Sequence, residues 1–116
     1  MTAVAIPKFD PQLVSGKTVF ITGPGGSGKT YLEHGLRLFS PKEIKVSQEM
    51  DYTNENYIII FPYFDKRVNK SLFDNYHVKL SFEQFSKWQE NRGKYECLVI
   101  DTSTGNFSWF KQGELN

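Results

Sequence analysis

The hydrophobic pattern in the first half of the chain changes between strand-like and helix-like periods. Residues 17–22 are a β-branched and aromatic run that ends in glycines, which is typical of a buried strand. Residues 29–39 have apolar positions near helical spacing, and Pro41 stops the helix that this spacing predicts. A weaker strand is predicted over residues 44–46, and residues 1–15 are interpreted as a lead-in arm with no clear period.

The next part of the chain predicts two strands and a helix. Residues 57–61 form an apolar strand, and Pro62 ends it or confines it to a sheet edge. Residues 76–80 alternate like a half-buried strand. Ser81 and Gln84 have the spacing of a capping box, which predicts a helix running to about residue 91. Three aromatic residues on one stripe of that helix are expected in the core: Phe82, Phe85 and Trp88.

The end of the chain predicts one more buried strand over residues 95–100, which delivers Asp101 at its carboxyl end. The last fifteen residues suggest a short hairpin, and residues 107–110 suit either a core strand or a surface that docks a partner. Strands that alternate with helices predict an α/β fold with a small, mainly parallel sheet. Because no repeat or linker is visible, residues 1–116 are predicted to be one domain.

Composition and charge narrow the class of protein. Aromatic residues make up 16% of the chain, which predicts a folded protein rather than a disordered one. The formal net charge of +1 supplies no bulk attraction to nucleic acid or to an anionic membrane. Cys97 is the one cysteine, which fits a reducing compartment. Without a long apolar run, we expect a soluble cytoplasmic protein with no membrane partner, in the host cytoplasm if the source is a virus or phage.

The chemistry of the chain is concentrated in a glycine-rich loop between the first strand and the first helix. The loop matches the pattern G-x-x-x-x-G-K-[ST] without a gap, in the residues Gly23, Pro24, Gly25, Gly26, Ser27, Gly28, Lys29 and Thr30. Glycines let successive backbone N–H groups turn inward toward an anion, and the helix that follows offers unpaired N–H groups. Lys29 would bridge the outer phosphates of a nucleoside triphosphate, and the Thr30 hydroxyl would ligate Mg²⁺.

A nucleotide-bound Mg²⁺ also needs a carboxylate at the end of a neighbouring strand. Asp101 follows a buried strand and is the main candidate, with a turn-capping role as the simpler alternative. Asp65 is a weaker candidate, because Pro62 and Tyr63 interrupt the strand before it. Neither Glu nor a second Asp directly follows Asp101.

The loop identifies a resemblance to the P-loop (Walker A) NTPase superfamily. A weaker resemblance, to RecA-like ATPases that include small phage ATPases associated with recombination, rests on the loop, on Glu49 after the next strand, and on residues 98–103. The resemblance implies a three-layer fold in which Glu49 polarises the attacking water and Asp101 serves the metal. The extra apolar run at residues 57–61 departs from that family, and fifteen residues after Asp101 leave little room for its later strands and polar sensor. An exposed acid is the simpler interpretation of Glu49.

Basic and aromatic residues are also interleaved between residues 63 and 73, which suits stacking and backbone contacts with single-stranded nucleic acid. The set comprises Tyr63, Phe64, Lys66, Arg67, Lys70 and Phe73. Arg67 could instead reach the phosphates, from its own chain or from a neighbouring subunit, and a solvated charge is the simpler alternative. His34 and His77 have no partners at metal-ligand spacing, so a zinc site is not predicted.

Three functions remain open on the sequence alone. The first is a Mg²⁺-dependent ATPase that drives a nucleic-acid or assembly task, as a homo-oligomer or in a larger complex. The second is a module that binds nucleotide with little turnover and regulates a partner interface. The third is a small-molecule kinase, which three scattered arginines disfavour. Because residues 69–72 lack the Asp of a guanine-reading motif, ATP is predicted over GTP.

Overall fold

In the computed structural model, the residues described are 6–26, 28–47, 55–61, 66–75, 81–90 and 95–111. Within these ranges the chain forms five strands and three α-helices, preceded by a short 3-10 turn at Pro11–Val14. In chain order the elements are β1 (Thr18–Thr22), α1 (Lys29–Arg37), β2 (Glu43–Ser47), β3 (Tyr57–Ile60), α2 (Lys66–Asn75), α3 (Phe82–Glu90), β4 (Glu96–Asp101) and β5 (Phe107–Lys111). The strand predicted over residues 76–80 lies outside the described residues.

The five strands form one sheet in the order β2-β1-β3-β4-β5. β1 is parallel to both of its neighbours, β2 and β3. β4 is antiparallel to β3, and β5 is antiparallel to β4. The predicted α/β class is therefore confirmed, but the prediction of a mainly parallel sheet is wrong, because half of these strand pairings are antiparallel. β3 is also an interior strand, so Pro62 does not follow an edge strand.

The direction of β4 follows from α2, a helix that the sequence pattern did not predict. A single helix after β3 would return the chain to the edge where β3 begins, and the next strand would then be parallel. Instead α2 and α3 cross the sheet in opposite directions. The Gln89 side chain of α3 donates to Asn69 of α2 at 3.3 Å, and the rings of Phe73 and Phe85 pack with their centroids 6.0 Å apart. β4 therefore begins at the edge where β3 ends.

Both faces of the sheet are covered, because strand residues alternate between two apolar clusters. The face that packs α1 and the N-terminal arm contains the buried residues Phe9, Val14, Val19, Ile21, Leu32, Leu36, Ile59, Phe61, Cys97, Val99 and Phe110. The face that packs α2 and α3 contains Phe20, Ile58, Ile60, Phe85, Leu98 and Ile100, with Phe82 and Trp88 partly buried against them. The predicted core role of the aromatic stripe in α3 is confirmed.

The N-terminal arm is part of the fold rather than an appendage. The Phe9 N–H donates to the carbonyl of Trp109 at 2.7 Å, and the Trp109 N–H donates to the carbonyl of Pro7 at 3.0 Å. The arm thereby pairs with β5, and Phe9 is 4% exposed. Phe110 is buried as well, so the run at residues 107–110 is a strand of the sheet that contributes Phe110 to the core. β5 forms a hairpin with β4, a strand that precedes the last fifteen residues, so the hairpin predicted within those residues is not the one described.

The start of α3 forms the capping box that its sequence predicts. The Ser81 N–H donates to the Gln84 side chain, and the Gln84 N–H donates to the Ser81 hydroxyl, both at 3.2 Å. These two bonds satisfy N–H groups that a helix start leaves open. Among the helices described here, none has the length and apolar character needed to cross a membrane.

The capping box generates a prediction about stability. Ser81→Ala removes the side-chain acceptor at the start of α3 and should lower the free energy of unfolding by about 1 kcal/mol. Urea denaturation followed by circular dichroism measures this change. Ser15→Ala is the matched control, because Ser15 is exposed and outside the helices. Equal effects of the two substitutions would contradict a capping role for Ser81.

Candidate functional site

The glycine-rich loop leaves the carboxyl end of β1 and turns directly into α1. Thr22, the last residue of β1, is buried, and the chain then turns outward so that Gly25 and Gly26 are exposed. Gly26 has φ +76° and Gly28 has φ +94°, in the left-handed region that side-chain-bearing residues rarely adopt. The glycines at these positions are therefore required by the backbone path of the loop. Ser27 lies outside the described residues.

Lys29 folds back into the loop rather than extending into solvent. Its ammonium donates to the carbonyl oxygens of Gly23 and Pro24, each at 2.8 Å. Burial at this position lowers the pKa of the Lys29 ammonium. The loop therefore holds a partly desolvated cation, and the hydrogen-bond acceptors that the described residues offer it are two neutral carbonyl groups.

The start of α1 lacks the usual devices that neutralise a helix N-terminus. Its N-cap is Gly28, which makes no side-chain capping bond, and its first turn contains no acid. Thr30, in the same turn, is exposed. By contrast, α3 begins at the opposite edge of the sheet with a Ser81 cap and an acid, Glu83, in its first turn. The positive end of the α1 dipole and the Lys29 charge thus coincide at the loop, which suits a phosphate group.

The strand order places this loop at a switch point of the sheet, the position at which open α/β sheets form a ligand crevice. β1 and β3 are adjacent and parallel, so their carboxyl ends lie at the same edge, which we call the loop edge. The chain leaves β1 toward α1 on one face and leaves β3 toward α2 on the other. In open α/β sheets, ligands bind where neighbouring strands send their connections to opposite faces.

Asp101 does not lie at the loop edge, and its predicted role as the metal-side acid is wrong in this structure. β4 runs antiparallel to β3, so Asp101 is level with Tyr57, which is level with Val19 of β1. Gly23 is four positions further along β1, about 13 Å away at the usual rise of about 3.3 Å per residue. A carboxylate at this distance cannot share a Mg²⁺ ion with Thr30.

Asp101 instead shapes the turn between β4 and β5, which is the simpler role that its sequence context allows. Its carboxylate accepts from the Ser103 N–H at 3.0 Å and from the Ser103 hydroxyl at 2.7 Å. Its carbonyl accepts from the N–H groups of Thr104 and Gly105. Gly105 has φ +75°, which completes the reversal of the chain.

A carboxylate that the sequence interpretation missed is Glu96. Because β4 is antiparallel, it is the first residue of the strand, and not the last, that lies toward the loop edge. Glu96 is half-buried and lies on the same face as Leu98, toward α2 and α3. Nothing in the local sequence could have indicated this, since it depends on the direction of the strand.

The other predicted site residues are distributed as follows. Glu49 and Asp65 lie outside the described residues. Arg67, predicted in a loop, is exposed in the first turn of α2, and no acid accompanies it in that turn. In the part of the chain that the structure describes, no three His, Cys, Asp or Glu side chains are grouped as metal ligands. His34 is exposed on α1, and His77 is not among the described residues.

In the predicted nucleic-acid surface, the side chains of Lys70 and Phe73 contact other residues of the protein. Lys70 pairs with Asp74 at 3.0 Å and lies 5.5 Å from the ring centre of Phe73 and 5.1 Å from that of Phe82. The ring of Phe73 packs edge-on against Phe82 and at a tilted angle against Phe85. Phe73 therefore contributes to the core between α2 and α3, so its ring does not form an open stacking platform.

The loop geometry predicts a specific cost for adding a side chain. Gly26→Ala should lower the free energy of unfolding by about 1 kcal/mol, because the left-handed backbone is strained for alanine. Space is not the cause, since no atom lies within 4 Å of the added Cβ. Gly16→Ala is the matched control, with φ +71° and equally open surroundings away from the loop. Urea denaturation should show similar losses for both, and a neutral Gly26→Ala would contradict the loop conformation.

Comparison with known proteins leaves the function to be argued from this geometry. The chain matches no family model, no curated protein and no solved structure. The features available for the argument are the glycine conformations, the enclosed Lys29, the uncapped start of α1 and the crevice between β1 and β3.

Proposed function

We propose that this protein binds ATP together with Mg²⁺ through the loop at residues 23–30, as a P-loop NTPase would. The observation that carries the proposal is the Lys29 ammonium held inside a glycine loop at the uncapped start of α1. A partly desolvated cation beside a positive helix end is unfavourable by itself, and an anion in the loop removes that cost. The terminal phosphates of a nucleotide are anions of suitable charge and size.

The described glycines of the loop, Lys29 and Thr30 each have a role in this binding. The glycine conformations let backbone N–H groups surround the phosphates without obstruction from side chains. Lys29 transfers its hydrogen bonds from the two loop carbonyls to phosphate oxygens, and its pKa rises because a negative charge now favours the protonated form. The exposed Thr30 hydroxyl is the described oxygen that could hold Mg²⁺, which when bound neutralises phosphate charge.

ATP is preferred over GTP in this proposal. Asn69 begins the stretch that most resembles a guanine-reading motif, but that stretch lacks the final Asp. Asn69 is also only 2% exposed, and its side chain accepts from Gln89 between α2 and α3. An amide buried in a helix interface is not presented to a nucleobase.

Turnover of the bound ATP is a separate matter. The ATPase hypothesis, with its nucleic-acid or assembly task in the cytoplasm, relied on Asp101 for the metal and Glu49 for water. The position of Asp101 at the far edge favours the second candidate, a module that binds nucleotide with little turnover and regulates a partner interface. Phosphate release measured with and without single-stranded DNA distinguishes the two functions.

The binding proposal predicts a large effect of Lys29→Ala. Losing charge-assisted hydrogen bonds to phosphate should weaken Mg²⁺–ATP binding by about ten- to a hundredfold. Isothermal titration calorimetry measures the dissociation constant directly. Lys42→Ala is the matched control, because Lys42 is exposed and precedes β2. We expect the control to retain wild-type affinity.

Two outcomes would overturn the proposal. The first is unchanged ATP affinity in a folded Lys29→Ala protein, as judged by circular dichroism. The second is ATP binding that responds equally to Lys42→Ala, which would indicate a diffuse charge effect. Gly26→Ala should also weaken ATP binding, whereas Gly16→Ala should not, because the added methyl lies in the loop only in the first variant.

A second prediction concerns the acid that assists Mg²⁺. Asp101→Asn should leave the Mg²⁺ dependence of ATP binding unchanged, because Asp101 is at the opposite edge. Glu96 is at the loop edge. In the sequence Glu49 follows β2 and Asp65 follows β3, and both of these strands are parallel to β1. We expect at least one of three substitutions to raise the Mg²⁺ concentration that ATP binding requires by about tenfold. The three are Glu96→Gln, Glu49→Gln and Asp65→Asn. If Asp101→Asn alone has that effect, the strand arrangement around β4 is contradicted.

A further inference from the structure

A second cleft lies at the edge of the sheet opposite the loop, where Asp101 is found. It is formed between the N-terminal arm and the strands β3, β4 and β5, and its volume is about 270 Å³. The arm wall is held in place by the two main-chain hydrogen bonds that join it to Trp109. The proposed nucleotide site does not use this cleft, which we call the arm cleft.

The arm cleft combines apolar and polar surfaces in the manner of a small-molecule site. Its apolar lining includes Leu13, which is 52% exposed, together with Phe9, Val99 and Phe107. Its polar lining comprises Lys8, Asp10, Tyr57, Asp101, Asn106 and Ser108. The volume suits a few carbon atoms and one polar head group, and is below the usual range for a drug-sized ligand.

The two carboxylates retain capacity to accept hydrogen bonds. Asp10 accepts from the Gln12 N–H at 3.0 Å through one oxygen, and Asp101 accepts from Ser103 through one oxygen. An ionised carboxylate has two oxygens and about four acceptor positions. Among the described residues, neither carboxylate forms an ion pair with a cationic side chain.

The remaining polar groups favour a cationic ligand over an anionic one. The Lys8 ammonium is directed to the Trp109 ring, 5.8 Å from its centre. Burial, and secondarily the charge of Asp101, raise the pKa of the Tyr57 phenol, so Tyr57 stays neutral and experiences the Asp101 charge. Two carboxylates against one lysine give the lining a negative balance.

We propose that the arm cleft binds an ammonium or guanidinium group carried on a short apolar stem. The cation would donate to Asp10 and Asp101, and its stem would lie on the apolar lining. Such a group occurs in free amines and at the end of lysine or arginine side chains. This inference does not depend on nucleotide binding at the loop.

Agmatine, which has a guanidinium and an ammonium on a four-carbon stem, is the probe for the test. Titration monitored by two-dimensional NMR should give saturable shifts at residues of the arm and of β4 and β5. Asp10→Asn and Asp101→Asn each remove a charge while keeping an oxygen that can accept the local backbone bond. Each should weaken agmatine binding about ten- to a hundredfold. Glu90→Gln, an equal change at an exposed site on α3, should not.

Further experiments distinguish a free amine from a peptide side chain as the ligand, and distinguish failure of this proposal from failure of the nucleotide proposal. N-acetyl-arginine amide binding more tightly than agmatine would identify a peptide side chain, and the reverse order would identify a free amine. Lys29→Ala should retain agmatine binding, so failure at one site is distinguishable from failure at the other. No saturable binding, equal loss in Glu90→Gln, or equal binding of the uncharged 1-pentanol would each overturn the proposal.

Discussion

The directions of the strands around β1 determine which side chains can act together in this protein. Because β2 and β3 both run parallel to β1, their carboxyl ends share an edge with the glycine-rich loop and with the start of α1. Because β4 runs the opposite way, its first residue is at that edge and its last residue is at the other. This arrangement opens a crevice beside the loop, separates Asp101 from Lys29, and makes Asp101 part of a different cleft.

Local features were predicted well from the sequence, because their causes are local. The start of α3 depends on Ser81 and Gln84, three residues apart, and the structure has both of the predicted bonds. The glycines of the loop likewise follow from a backbone path that few other residues can adopt. Strand direction is different, since it depends on how often the chain crosses the sheet between two strands. Because α2 was not predicted from the sequence, β4 was expected to run parallel to the other strands, and Asp101 was placed at the wrong edge of the sheet. The local sequence of Asp101 suits a turn as well as a metal ligand.

The electrostatics of the loop edge differ from those of an ordinary helix start. A structural helix gains about 0.3–1 kcal/mol from an acid in its first turn, and α3 follows this rule with Glu83. At the loop edge α1 has Lys29 in its first turn and α2 has Arg67, and neither first turn contains an acid. At the start of α1 the fold thus forgoes a small stabilisation that it uses at the start of α3. A negative ligand bound at the loop would supply the missing charge to α1.

The two walls of that crevice are held by interactions of different kinds. The wall formed by α1 rests on apolar contacts of Leu32 and Leu36, both fully buried. Between α2 and α3, near the same edge, the contact includes the polar pair Asn69 and Gln89. Among the described residues, the Gln89 carbonyl oxygen and the nearby Ser86 hydroxyl are buried without a hydrogen-bond partner. An unsatisfied buried polar group costs about 1–3 kcal/mol, a cost that the apolar contacts of Leu32 and Leu36 do not carry. The α2–α3 contact offsets it with the aromatic packing of Phe73 against Phe82 and Phe85, so the two sides of the sheet are stabilised by different balances of polar and apolar contacts.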